Sequence, residues 1–196
     1  MSKIDLEKLE DSQFDVLKEI GNIGAGNATT ALATMLNIKV DMSVPNVALL
    51  PFDNISSFIG SEEQTVVGIL LEIQGDIDGM MMFLFDMKSA HHLVNSLMMR
   101  DVHQDENGMA DFSEMEMSAL NEIGNIVSGS YLSALSGLTG MKMVSSVPAL
   151  SIEFGKYGDK LLMIQSEFGE DDFVTGYFLL IPELESYDKI LTSLGM

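Results

Sequence analysis

With 196 residues, no cysteine and a net charge of −20, the chain has room for a sizeable core but no thiols for a disulfide or thiolate-metal framework. Thirty acidic side chains against ten Lys plus Arg make a field that repels phosphate backbones, which excludes nucleic acid as a natural partner. The acidic start "MSKIDLEKLEDSQFD" has no signal-peptide run, and no segment nears the roughly 18 to 20 apolar residues of a membrane span, so a cytoplasmic setting without membrane insertion is expected.

Hydrophobic periodicity sets out the elements in chain order. Ser12-x-x-Asp15 reads as a capping-box-like start to a long helix running from about Asp15 to Leu36. Strand candidates follow in "KVDMSVPNVALL", "TVVGILLEI" and "GMMMFLF", then a closing helix near Ser89 to Met99. The polar, acidic stretch Arg100 to Phe112 reads as a linker. A second long helix starts at Ser113-x-x-Glu116, followed by strands "KMVSSVPALSIEF", "KLLMIQSEF" and "VTGYFLLI" and a closing helix near Leu184 to Leu194. The sixteen methionines fit core filling better than a sticky recognition surface.

The order repeats because the sequence does. "LKEIGNIGAGNATTALATMLNIKVDMSVP" aligns without a gap to "LNEIGNIVSGSYLSALSGLTGMKMVSSVP", matching Glu19 to Glu122, Asn22 to Asn125 and Pro45 to Pro148 at an offset of 103. The later hairpins and helices match at a shorter offset, Gly79 to Gly176 being 97. One domain is expected, made of two repeats at about 11–100 and 112–196 joined by a linker at 101–111. The fold class is α+β: a pseudo-twofold duplication of helix–strands–helix units, with a mainly antiparallel sheet and two long motif-bearing helices.

The glycine-rich "GNIGAG" at Gly21 to Gly26 invites a phosphate-loop reading, which fails twice. No strand precedes it, and neither the dinucleotide spacing nor a Gly-Lys-Ser/Thr follows. Read as helix, Leu17, Ile20, Ile23, Ala28, Leu32 and their neighbours form a buried face. Asp15, Glu19, Asn22, Gly26, Thr29 and Ala33 line the other side. In the second copy Leu120, Ile123, Ile126 and Leu135 point inward, while Ser118, Glu122, Asn125, Gly129 and Ser136 face out.

A helical asparagine has poor propensity, and each mid-helix glycine costs about 1 kcal/mol relative to alanine. Keeping both twice, while neighbours such as Lys18/Asn121, Gly24/Val127 and Ala28/Tyr131 diverge, asks for a reason. On these grounds alone a solvated helix surface and a recognition site are equally good readings. Glu and Asn supply neither a nucleophile nor a metal-ligand cluster, so covalent or metal-centred chemistry on this chain is not expected. His91 and His92, replaced by Asp188 and Lys189 in the second copy, read as a solvated face.

At these residues the chain resembles the CheC/CheX/FliY family of response-regulator phosphatases. The family signature runs Asp or Ser, three residues, Glu, two residues, Asn, twenty-two residues, Pro. It is matched by Asp15, Glu19, Asn22 and Pro45, and again by Ser118, Glu122, Asn125 and Pro148. Two intact copies fit the CheC branch rather than the single-copy CheX branch; a FliY-type chain would be expected to continue into a flagellar-switch domain after Met196.

The resemblance implies catalytic residues Glu19, Asn22, Glu122 and Asn125 and a protein-aspartyl-phosphate phosphatase activity on a phosphorylated CheY-like regulator. Asn would orient the attacking water and Glu would pair with the regulator's lysine. No cofactor or metal is implied on this chain, Mg²⁺ being expected on the regulator. The resemblance also implies the receptor deamidase CheD as a partner, and with it the alternative of a non-catalytic adaptor that binds CheD or the phosphorylated regulator. Thr29 and Leu132, at equivalent stripe positions, predict two unequal sites.

Overall fold

The computed structural model describes residues 9–51, 66–100, 112–151, 160–170 and 174–196. Among the described residues, four helices and eight strands run in the order α1 (Asp11–Leu36), β1 (Asp41–Met42), β2 (Asn46–Pro51), β3 (Val66–Gly75), β4 (Gly79–Asp86), α2 (Met87–Leu97), α3 (Glu114–Thr139), β5 (Met143–Ser145), β6 (Ala149–Ser151), β7 (Lys160–Glu170), β8 (Val174–Pro182) and α4 (Leu184–Ser193). The expected linker at 101–111 lies outside the described residues.

The strands form one sheet in the order β1-β7-β8-β4-β3-β5, with β2 also on β7 and β6 also on β3. Every pairing is antiparallel. The hairpins β3–β4 and β7–β8 meet along β4 and β8, where Met82 faces Leu179. Each half then sends its short strands across: β1 and β2 pair with β7, and β5 and β6 pair with β3. Ile69 pairs with Leu150, and its counterpart Ile164 pairs with Val47, the residue equivalent to Leu150. The two halves are therefore interlocked rather than laid side by side.

Helices α1 and α3 pack against each other and against the sheet, α1 on β7 and α3 on β3 and β5. Alternate residues of the central strands, Met81, Phe83 and Phe85 with Phe178 and Leu180, join the helices in the main core. Phe83 meets Phe178 edge-on at 5.3 Å between ring centroids, and Phe168 stacks on Phe178 at 4.2 Å. The intervening residues Met82, Leu84, Leu179 and Ile181 are buried as well, in a separate cluster. Burial on both faces explains why "MMMFLF" reads as a continuous apolar run without alternation.

Helix α3 starts where expected. The Ser113 N–H donates to Glu116 Oε2 at 2.8 Å, and the Glu116 N–H donates back to Ser113 Oγ. The Ser113 backbone and hydroxyl bonds, with the guanidinium of Arg100, hold the Glu116 carboxyl down at about 2. Helix α1 starts earlier than the sequence suggests. Its N-cap is Glu10, whose N–H donates to Gln13 Oε1 at 3.0 Å, so Ser12 lies inside the first turn. Glu10 and Gln13 stand where Ser113 and Glu116 stand in the second copy, and both helices close on a left-handed residue, Asn37 and Gly140.

Candidate active site

Each long helix keeps its polar stripe in solvent. Asp15, Glu19 and Asn22 on α1 are exposed, as are Ser118, Glu122 and Asn125 on α3. No described residue engages the side chains of Glu19, Asn22, Glu122 or Asn125 by hydrogen bond or ion pair. Asn27, on the same helix, shows the contrast. Its side-chain amide donates to the carbonyl of Ile23 at 2.8 Å, the local bond by which a helical asparagine satisfies itself. Asn22 and Asn125 forgo that bond, leaving donor and acceptor both available to a partner.

The glycines divide into two kinds. A Cβ added at Gly26 or Gly129 would meet nothing within 4 Å, so both positions open onto solvent along the stripe. Gly21, Gly24 and Gly124 are interior. A Cβ on Gly24 would collide with the Tyr131 ring, one on Gly21 with Ile164 Cγ2, and one on Gly124 would sit 2.6 Å from Ile69 Cγ2. Two of these glycines, Gly21 and Gly124, explain the prolines. Pro45 Cβ lies 3.1 Å from the Cβ position of Gly21, and Pro148 Cγ 3.5 Å from that of Gly124. The twenty-two residues between Asn and Pro thus return the chain to the helix beside the asparagine. Pro45 and Pro148 are buried there as packing groups.

Four expectations change. Thr29 and Leu132 are not on the exposed stripe; they are 6% and 2% exposed, because the α1–α3 contact turns that part of each helix inward. Ile126 does not point inward but is 37% exposed. His91 is no solvated residue: it is 9% exposed and stacks on Phe112 at 4.2 Å. His92 is half-buried, and His103 lies outside the described residues. Among the described residues, no group of three His, Cys, Asp or Glu side chains is placed to hold a metal ion, and no helix is long and apolar enough to cross a membrane.

Around the two Glu–Asn pairs the surfaces differ. Lys18, four residues before Asn22 and on the same helix face, is exposed beside the first pair. Its counterpart Asn121 is half-buried, with Oδ1 enclosed and no hydrogen-bond partner. Asp15 is answered by the neutral Ser118. A charged Asp–Lys couple thus borders one pair and neutral groups border the other.

Comparison with known proteins places these features in a family. A CheC-like family model matches residues 13–49 and 115–152, the two segments that run from each long helix through its proline. The CheY-P phosphatase CheC of Bacillus subtilis (strain 168) is 34% identical over 204 residues, spanning 95% of this chain and 96% of that protein. Thermotoga maritima FliY shares the fold with a TM-score of 0.77 at 20% identity, over 94% of this chain and 96% of that one. The CheX–CheY–BeF3–Mg complex from Borrelia burgdorferi provides a further match, with a TM-score of 0.58 at 19% identity over 84% and 96%. With 34% identity across nearly the whole of both chains, and both signature segments matched, the chain belongs to the CheC-like family.

Proposed function

We propose that the chain is a phosphatase that hydrolyses the phospho-aspartate of a CheY-like response regulator in the cytoplasm, with Glu19–Asn22 and Glu122–Asn125 as its two sites. The observation that carries this reading is the pair of exposed, unengaged Glu–Asn couples at equivalent places on two buried-backed helices. The names of relatives support it: one is a CheY-P phosphatase, and another structure with this fold is a complex with CheY.

The chemistry follows from the residue types. The regulator contributes the acyl phosphate, its own Mg²⁺ and its own lysine. Asn22 or Asn125 enters that site, accepts a hydrogen bond from a water with its carbonyl oxygen and donates from its amide, setting the water in line with phosphorus. Attack of the water forms the new O–P bond as the bond to the aspartyl oxygen breaks; the electron pair returns to the regulator's carboxylate, and the water's protons leave with the inorganic phosphate. Glu19 or Glu122 pairs with the lysine, which offsets the repulsion between an acidic chain and a phosphoryl group. A helix backbone held rigidly by the core supplies the positioning, as fits catalysis by orientation rather than by covalent participation.

The test is the decay of a phosphorylated CheY-like regulator with and without the protein. Asn22→Ala with Asn125→Ala is expected to lower the stimulated rate on the order of 10²-fold or more while binding of the regulator survives. An adaptor acting only by binding, to the regulator or to CheD, would lose nothing in turnover, and an unchanged rate overturns the catalytic assignment. The single variants are expected to differ from each other, because Lys18 and Asp15 border the first asparagine and Asn121 and Ser118 the second.

A further inference from the structure

Val44 and Val147 are each 84% exposed. They occupy equivalent places, 103 residues apart, each directly before the proline of its copy. A lone exposed valine is ordinary on a protein surface. Two at matched positions, each directly before a buried proline, are not explained by the fold, since neither contributes to the core.

Their location follows from the proline packing. Pro45 lies against Gly21, the residue before Asn22, and Pro148 against Gly124, the residue before Asn125. Consecutive helical residues stand about 100° apart around the axis, so each valine loop flanks the stripe on its asparagine side. In the second copy the other flank is apolar as well. Ile126, four residues after Glu122 and therefore its neighbour on the helix face, is 37% exposed. The polar pair thus lies between apolar groups.

In the second copy the loop is also stiff. Ser146 donates its N–H to the carbonyl of Glu72 at 2.8 Å, its hydroxyl accepts from the Glu72 N–H at 2.9 Å, and that hydroxyl donates to the Val147 carbonyl at 3.1 Å. The following proline restricts each valine to extended backbone conformations. A side chain displayed this way has little conformational freedom left to lose when a partner covers it.

We infer that Val44 and Val147 are apolar anchors for the phosphorylated regulator, one at the rim of each site; this rests on the function proposed above. Docking covers the valine and removes its apolar surface from water, a contribution made equally before and during the reaction and therefore read in binding rather than in turnover. The occupant is the regulator rather than a second copy of this chain because each valine adjoins the polar pair meant for that regulator. A copy seated there would block it.

The experiment compares Val44→Ser with Val147→Ser, combined, against the unaltered protein over a range of phosphorylated regulator concentrations. Equilibrium binding of the beryllofluoride-activated regulator and sedimentation of the protein alone are measured in parallel. The expected result is a KM and a Kd each raised about tenfold, with kcat within twofold, as befits loss of one buried valine contact per site. Restoring an apolar group with Val44→Ile and Val147→Ile is expected to bring both constants back. An unchanged KM and Kd, a fall in kcat at constant KM, or a change in sedimentation without a change in Kd would each overturn the assignment. If the unaltered protein failed to speed decay, the phosphatase reading would fall, whereas the binding arm would still decide whether the valines hold the regulator.

Discussion

At the crossing of α1 and α3, Gly24 receives the ring of Tyr131, while the positions that exchange with them under the duplication are Val127 and Ala28, both buried. One half of the crossing is built large-on-nothing and the other from two middling side chains. On the solvent side of the same helices Glu, Asn and the stripe glycine have not diverged at all. Packing tolerates exchange of volume between partners as long as the sum fills the space. A group that must meet a partner outside the molecule has no such freedom, because nothing within the chain can compensate for its loss.

The comparison is broken most directly at the crossing. Gly24→Val alone is expected to cost about 2 kcal/mol by overpacking against Tyr131, and Tyr131→Ala alone about 3 to 4 kcal/mol by leaving a cavity. The two together rebuild the Val–Ala arrangement of the other half, so their combined cost is expected to fall short of the sum by at least about 1 kcal/mol. Urea unfolding of the four proteins measures this; strict additivity would mean that the volumes do not compensate.

A smaller effect separates the interior glycines from the stripe glycines. Gly26→Ala and Gly129→Ala are each expected to stabilise the protein by about 0.5 to 1 kcal/mol, since helix propensity rises and nothing is struck. On the proposed function both are expected to raise KM for the phosphorylated regulator, because the added methyl would stand on the proposed docking stripe. Gly124→Ala is expected to do the opposite to stability, lowering it by roughly 1 to 3 kcal/mol against Ile69. Thermal melts and steady-state kinetics together read both quantities. A stabilised Gly26→Ala with unaltered KM would remove the clearance role from the stripe.

The smallest effect concerns the helix starts. The cap of α1 uses the neutral Gln13, whereas that of α3 uses Glu116, held at about 2 against an ordinary 4.5. A carboxyl depressed in the folded state stabilises it above its unfolded pKa and loses that contribution as pH falls through the folded value. Between about pH 4.5 and 2, the start of α3 is therefore expected to loosen as the Glu116 carboxyl takes up its proton. Hydrogen exchange along the two helices checks this, and Glu116→Gln should remove the pH dependence of the α3 cap.

Much of this was legible in the sequence. The gapless match between copies located both long helices and both Glu–Asn pairs, and apolar runs bounded by turn residues located the hairpin strands, because helical periodicity and turn residues are local properties. The residue types alone left the stripe open between a solvated surface and a site. That the side chains of Asn22 and Asn125 engage none of the described residues, while Asn27 bonds to its own helix, becomes visible only in the folded structure. The start of α1 was misplaced because Glu10 and Gln13 make a cap without the Ser or Thr that marks one in α3.

What the sequence determined by itself was the duplication, the element order and the four polar residues, since repeated local pattern is written in the chain. Only the tertiary structure decided which residues of each helix lie inside. Thr29 and Leu132 share the helical phase of the exposed stripe, yet they are buried where α1 and α3 meet. Ile126 and Val147, apolar by type, are left in solvent beside the second pair. The pairing of β1 and β2 with β7, and of β5 and β6 with β3, likewise joins residues far apart in the chain, such as Asp41 with Gly169 and Ile73 with Ser145. Burial and pairing of this kind depend on how separate elements meet, and no single helix or strand contains that information.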